Sequence, residues 1–371
     1  YASIFGGIPC SEIDKFEPYW NQFPNLKAEL FNNINESYRE LKVNDLTEAV
    51  MNSENVSTFN SQIKNSLSQL PNYLSATLID NMMAINAAQE ESVISDEIFK
   101  CFNDSTLIDK YAAYQILDDD WNKISGDLEI LQSEGFEAIK KVDPKMVTKN
   151  DVEIQEGYIG HVLPFELIQR LMMASELNAV KQKEERLQEI TSTYAELLES
   201  LTDEDKDCDL FNEERTAFVN SEIKKEAKKL AKYKDEEEEG SLNYVVLQVD
   251  SLLKEEASLK KEVKTDSENL DIKAKTIIES LSDEDAKKLL AEKWITPLVS
   301  GLEQLANSTV DEFVKQLKKT VEKYDETLLD LDKKIAETSN SLADMIDDLT
   351  GNDFDMKGLK ELQSILRRNN E

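Results

Sequence analysis

The sequence predicts a mainly α protein: a helical globular region over residues 1–163, then long coiled-coil-like helices over 164–371, comprising an antiparallel arm and one long heptad helix. Three observations carry that expectation. Only 10 Gly and 7 Pro interrupt 371 residues rich in Leu, Glu, Lys and Asp. Aromatics make up 7% and charged residues 32%, a balance that suits solvated helices better than stacked sheets. Beyond Pro164, apolar residues return at seven-residue spacing in three separate stretches.

Taken in order, Gly6-Gly7 sits in SIFGGIPCSEIDKFEPYW, where a positive-φ turn precedes a short helix over Glu12–Trp20. Phe23-Pro24-Asn25 closes that helix, and Leu26–Leu41 resumes helical spacing through Leu30, Ile34 and Tyr38. Further helices are predicted over Asn55–Leu70, Tyr73–Ala88 and Thr106–Ile124, the last with Leu107, Tyr111, Tyr114, Leu117 and Trp121 on one face. Leu128–Leu131 reads as a short strand in a small excursion that ends near Asp143-Pro144.

Pro164 then suits the first turn of a helix running to Leu201, with Val180, Leu187, Tyr194 and Leu201 seven apart. A return helix over Leu242–Leu281 carries Leu252, Leu259, Val263, Leu270 and Ile277. The two pair antiparallel in this reading, as an arm over 165–281 with Leu187 level with Leu270. Thr202 and Ser282 each precede an acid three residues on, the pattern of a helix-start capping box. The most continuous stripe lies in the last long helix, 310–349. Val314, Val321, Leu328, Ile335, Leu342 and Leu349 alternate there with Val310, Leu317, Tyr324, Leu331, Thr338 and Met345. Gly351 ends it, and Gly358–Leu366 forms a short terminal helix.

The net charge is −33, from 76 acids against 43 bases, and it is spread along the chain. Such a surface repels a phosphate backbone, which argues against direct reading of nucleic acid by this chain. Cys10, Cys101 and Cys208 lie too far apart for a CxxC or zinc pattern and fit a reducing cytosol. No stretch reaches the roughly 18 consecutive apolar residues of a membrane span, and no export signal opens the chain. Tyr1 stands where a Met would open a complete protein, so the sequence reads as a piece of a longer one.

Catalytic chemistry finds little support. His161, in EGYIGHVLPFELI, is the single histidine and reads as structural, one ring nitrogen satisfying a backbone carbonyl. Gly6-Gly7 lacks the third glycine and the Lys-Ser or Lys-Thr of a phosphate loop. Asp118-Asp119-Asp120 reads as a solvated helix face rather than a magnesium site. The lysines at 224, 225, 228, 229 and 232 read as neutralised by the acidic run Asp235–Glu239. No catalytic, cofactor-binding or metal-binding residue emerges.

Five stretches together resemble the carboxy-terminal part of the modification subunit of type I restriction–modification systems, a DNA adenine-N6 methyltransferase family. They are FGGIPCSEIDKFEPYWNQFPNL (5–26), YQILDDDWNKI (114–124), GYIGHVLPFELIQRLMMASELNAV (157–180), AEKWITPLVSGLEQL (291–305) and VEKYDETLLDLDKKIAE (321–337). The family's Asn-Pro-Pro-aromatic motif is absent, since no two prolines adjoin. The resemblance therefore implies an assembly region that follows the methyltransferase domain, with S-adenosylmethionine a cofactor of the full-length subunit only. Its implied partners are the DNA-specificity subunit and a second modification subunit, with DNA engaged only through the complex. Leu317, Val321, Tyr324, Leu328, Leu331 and Ile335 are the candidate partner-binding residues, because they form the centre of the last heptad stripe. The alternatives are a free-standing coiled-coil scaffold and, with less support from an evenly spread charge, an acidic DNA mimic.

Overall fold

In a computed structural model, the structure describes residues 7–103, 105–149, 152–230, 240–324 and 328–368. The protein is mainly helical. After β1 (Ile8–Pro9) come two short helices, Cys10–Ile13 and Glu17–Gln22, and a third over Leu26–Leu30. Then β2 (Phe31–Asn33) and β3 (Tyr38–Leu41) form a hairpin. The helix expected over Leu26–Leu41 thus stops at Leu30: residues 34–37 turn the chain between β2 and β3, with Asn35 Oδ1 accepting from the Ser37 and Tyr38 amides at 2.8 and 3.0 Å. β3 is the middle strand of an antiparallel sheet in the order β1-β3-β2.

A short helix, Leu46–Met51, precedes α1 (Glu54–Leu67), close to the expected Asn55–Leu70. The helix expected over Tyr73–Ala88 ends early, as a short α-helix at Leu70–Leu74 and a π-helical stretch at Ser75–Asp80, and α2 (Ala87–Cys101) follows, capped by Asn86. Next, α3 (Lys110–Glu134) absorbs Leu128–Leu131, which is helix and not strand. Its buried face is Leu117, Trp121, Ile124, Leu128 and Leu131, at alternating spacings of four and three, whereas Tyr111 and Tyr114 are exposed. The strands come later, as an antiparallel ribbon of β4 (Val142–Lys149) and β5 (Val152–Gly160), with a register shift near Pro144.

The remaining helices are α4 (Phe165–Met172), α5 (Ala174–Glu199), α6 (Asn220–Leu230), α7 (Leu242–Glu279), α8 (Asp283–Lys323), α9 (Leu328–Asp347) and α10 (Asp353–Arg368). The run expected from Phe165 to Leu201 bends at Met173, whose φ of −132° is not helical. The Ser282 box forms, its hydroxyl accepting from the Asp285 amide at 3.1 Å at the head of α8. Thr202 and Asp205 make reciprocal bonds, at 3.3 and 3.1 Å, but the chain continues as turn and the next helix waits until Asn220. The single helix expected over 310–349 is interrupted: α8 ends at Lys323, Tyr324 is a turn, and α9 begins at Leu328.

Contacts divide the chain into two compact units, Tyr1–Ser125 with Trp294–Glu371, and Gly126–Lys293. The composition change at 163/164 therefore lies inside the second unit, and the division itself falls within α3 and α8. The first unit is organised around Phe313, which stacks on Tyr19 at 4.4 Å and meets Phe16 and Trp20 edge-on at 5.7 and 5.3 Å. The indole of Trp20 donates to the Ile13 carbonyl at 2.7 Å, so the buried ring leaves no polar atom unmet.

The second unit contains the arm. Lys183 of α5 pairs with Glu262 and Asp266 of α7 at 2.8 Å each, Arg186 forks onto Glu255, and Glu176 meets Lys273, which makes the two helices antiparallel. Leu187 is thereby bracketed by residues 255–262. Leu270 lies eight residues beyond Glu262, at least about 12 Å along the helix, so the register differs from a Leu187–Leu270 pairing. Around these ion pairs Leu187, Leu259 and Val263 are half-buried and Ile190 is fully buried. At the far end, Leu201, Phe211, Ile223, Val245, Val246 and Val249 form a separate core in which α6 packs on α7. At the near end, Gly160 passes so close to the Leu163 carbonyl that a Cβ would collide with it.

Candidate partner-binding surface

The six candidate residues meet different environments. Leu317 is fully buried with Val310, Phe313 and Val314 in the core of the first unit, so it is spent on this chain's own packing. Val321 and Tyr324 are half-buried. With Gly7, Ile8, Arg39, Glu40 and Leu41 they line a cavity of about 350 Å³. Gly7 has φ 109°, and a Cβ there would stand 2.6 Å from the end of Ile34, which explains one glycine of the Gly6-Gly7 pair; Gly6 lies outside the described residues. The side chain of Leu328 also lies outside them. Leu331 and Ile335 are exposed, at 42% and 61%.

Those two open a longer stripe. Leu331, Ile335, Leu342, Met345 and Leu349 lie at heptad positions along α9 and its end, with Thr338 the one polar residue among them, and all five are exposed. The neighbouring face of α9 is already covered. Ala343 and Ile346 are buried, and α10 packs there. Gln363 of α10 donates to the Ala343 carbonyl and to Asp347, each at 2.7 Å, and Arg367 reaches Asp344 and Asp347 at 3.1 and 3.2 Å. Asn352 caps α10 by accepting from the Phe354 and Asp355 amides at 3.0 and 2.9 Å. Phe354, Leu362 and Ile365 of α10 are exposed as well. Sequence reasoning named the upper half of this surface and passed over Leu342, Met345, Leu349, Leu362 and Ile365, although the heptad itself continued to Leu349. Large apolar side chains left uncovered to this extent make the stripe a candidate interaction surface.

The remaining singled-out residues are accounted for locally. His161 sits between two carboxylates, Nδ1 at 2.6 Å from Asp143 and Nε2 at 3.2 Å from Glu134, and not on a backbone carbonyl. The hydrogen bond with Asp143 raises its pKa, and Glu134 adds to the effect. Glu134 is itself held below its usual range, first by Lys141 at 2.7 Å. Asp119 accepts from Gln115 and Asp120 pairs with Lys123. Lys225 and Lys229 pair with Glu222 and Glu226 of their own helix, at 2.7 and 2.6 Å; the run Asp235–Glu239 lies outside the described residues. Among the described residues no group of His, Cys, Asp and Glu gathers to hold a metal ion, and no helix is long and apolar enough to cross a membrane. No family model, curated protein or solved structure matches the chain.

Proposed function

We propose that this chain is the carboxy-terminal assembly region of a type I restriction–modification DNA adenine-N6 methyltransferase subunit, a cytoplasmic protein that docks on the DNA-specificity subunit. The five sequence stretches given above motivate the family. The observation that carries the docking role is the uncovered stripe from Leu331 to Leu349 on a helix whose other apolar face is already packed. A second modification subunit completes the complex in this reading, DNA is engaged only through it, and S-adenosylmethionine binds in a methyltransferase domain outside this sequence.

The test is binding to purified specificity subunit, measured by calorimetry, for the native chain and for Leu331→Asp with Ile335→Asp. Charges placed in a contact that must lose its water cost several kcal/mol, so binding falls by orders of magnitude. Circular dichroism should be unchanged, because both residues are exposed. Unaltered binding by the double variant removes the docking surface. An upstream reading frame without Asn-Pro-Pro-Phe or Asn-Pro-Pro-Tyr removes the family. Dimerisation of the chain alone, abolished by the same substitutions, would instead favour a self-associating scaffold.

A further inference from the structure

The far end of the arm holds a cavity of about 430 Å³ between α5, α7 and the loop that leads into α6. Its floor is apolar, made by Leu198, Phe218, Val249 and Leu253. Its acidic side chains are Glu199 and Glu256, and no Lys, Arg or His is among the described residues that line it. The lining thus combines apolar side chains with two carboxylates and, among the described residues, no cation.

The lip is built rather than loose. Asn212 Oδ1 accepts from the amides of Thr216 and Ala217 at 2.7 and 3.0 Å, while its Nδ2 donates to the Thr216 hydroxyl at 3.1 Å. Phe211 bridges Phe218 across the same loop, and their rings lie 5.3 Å apart. Arg215 takes the left-handed conformation, φ 56°, and is held there by Asp207 at 2.6 Å. A lip fixed before binding spares a ligand the entropy of ordering it.

Glu256 is fixed as well. Tyr194 donates to its Oε2 at 2.9 Å and Lys260 to its Oε1 at 2.5 Å, leaving each oxygen a further lone pair. The Lys260 bond holds the Glu256 carboxyl below its usual range, so it is an anion at neutral pH. Burial and Glu256 push the Tyr194 phenol up, so it stays a neutral donor. Lys224 also lies within electrostatic reach of Glu256, but neither lysine lines the cavity.

These walls reject an anion, and a wholly apolar guest would strip water from the carboxylates without replacing it. A side chain with an aliphatic stem and a cationic head satisfies both halves, and a guanidinium can also lie against the ring of Tyr194 or Phe218. The preceding turn adds a wider attraction: residues 203–215 hold seven acids and two bases. We propose that the head of the arm is a docking site for a basic segment of a partner protein, with an arginine or lysine side chain seated in this cavity.

The probe is a fluorescently labelled, end-blocked peptide of alternating leucine and arginine, compared with one in which citrulline, uncharged and of the same shape, replaces arginine. Polarisation against the whole chain should show saturable binding of the arginine peptide. Citrulline, or Glu199→Gln with Glu256→Gln, should weaken it by about tenfold or more. A photo-crosslinker in the peptide should label Leu198 or Phe218. No binding at about 5 mM peptide, equal binding of the citrulline form, or labelling elsewhere overturns the proposal. Competition by spermidine as effective as by unlabelled peptide also overturns it, since the site would then read charge alone. Gln is close in shape to Glu, so dichroism of the variant should match the native chain and exclude misfolding as the cause.

Discussion

Val310 to Leu317 and Leu331 to Leu349 are two stretches of one heptad pattern, yet they have opposite fates. The first is enclosed: Leu317 is fully buried and Phe313 is ringed by Phe16, Tyr19 and Trp20. The second faces water along its a and d positions. A heptad reports that a helix has an apolar side. What covers that side depends on aromatic residues some 290 positions earlier in the chain. The break at Tyr324 separates the two stretches, so each can follow its own geometry.

Substitution should make this difference measurable, and its largest effect belongs to the enclosed stretch. Phe313→Ala removes the central ring of a packed cluster and should destabilise the first unit by about 3–5 kcal/mol in urea denaturation. Leu331→Asp should change the same transition by no more than about 0.5 kcal/mol, because the residue is solvent-facing. Comparable losses at both positions would mean that the stripe is packed in solution and is not a free surface.

The heptad made the helices legible but not their coverage, and other features were legible only in part. In α3, Leu117, Trp121, Ile124, Leu128 and Leu131 keep helical spacing across Ser125-Gly126, a pair that also signals a turn, so the sequence held evidence both for the helix and for the break that a strand at Leu128 requires. The β2–β3 hairpin was announced by Asn32, Asn33 and Asn35, residues that favour turns, but Leu30, Ile34 and Tyr38 also fit a helix. β4 and β5 carry Val, Thr, Ile and Tyr in the manner of strands. The register of the arm could not be read from apolar spacing, because both helices have several equivalent seams. Lys183 and Arg186 select one of them through Glu262, Asp266 and Glu255, and charge pairs between helices have no signature within either sequence stretch.

The arm repeats the contrast between packed and solvated on a smaller scale. Its head has a core, so Ile223→Ala, at a fully buried position, should cost about 2–5 kcal/mol, and hydrogen exchange should quicken first in α6 and the 242–253 part of α7. Along the shaft Val180, Ile190 and Leu270 are buried, and half-exposed ion pairs join the two helices between them. Arg186→Met should lower the melting temperature only slightly at low salt, and the difference should vanish at about 1 M salt. A salt-independent loss would show that the stem of Arg186 packs, and that the shaft is closer to the head in character.

The smallest effect should come from His161, and it is the one with a pH signature. Its ring links Asp143 of β4 to Glu134 at the end of α3, and both carboxylates favour the imidazolium. The folded-state pKa is therefore raised above the ordinary 6.5 that the unfolded chain retains. A proton bound more tightly in the folded state stabilises it: the contribution is complete below about pH 6.5 and disappears as pH climbs through the raised folded value. His161→Gln preserves a hydrogen-bonding side chain but cannot carry the charge. The native chain should melt higher than this variant near about pH 6, and the gap should narrow near about pH 8.5. Glu134 is held below its usual range and stays ionised across that window, so the change belongs to the ring. A gap independent of pH would mean that His161 acts through packing alone, as Leu317 does, and a gap that widens with pH would reverse the assigned sign.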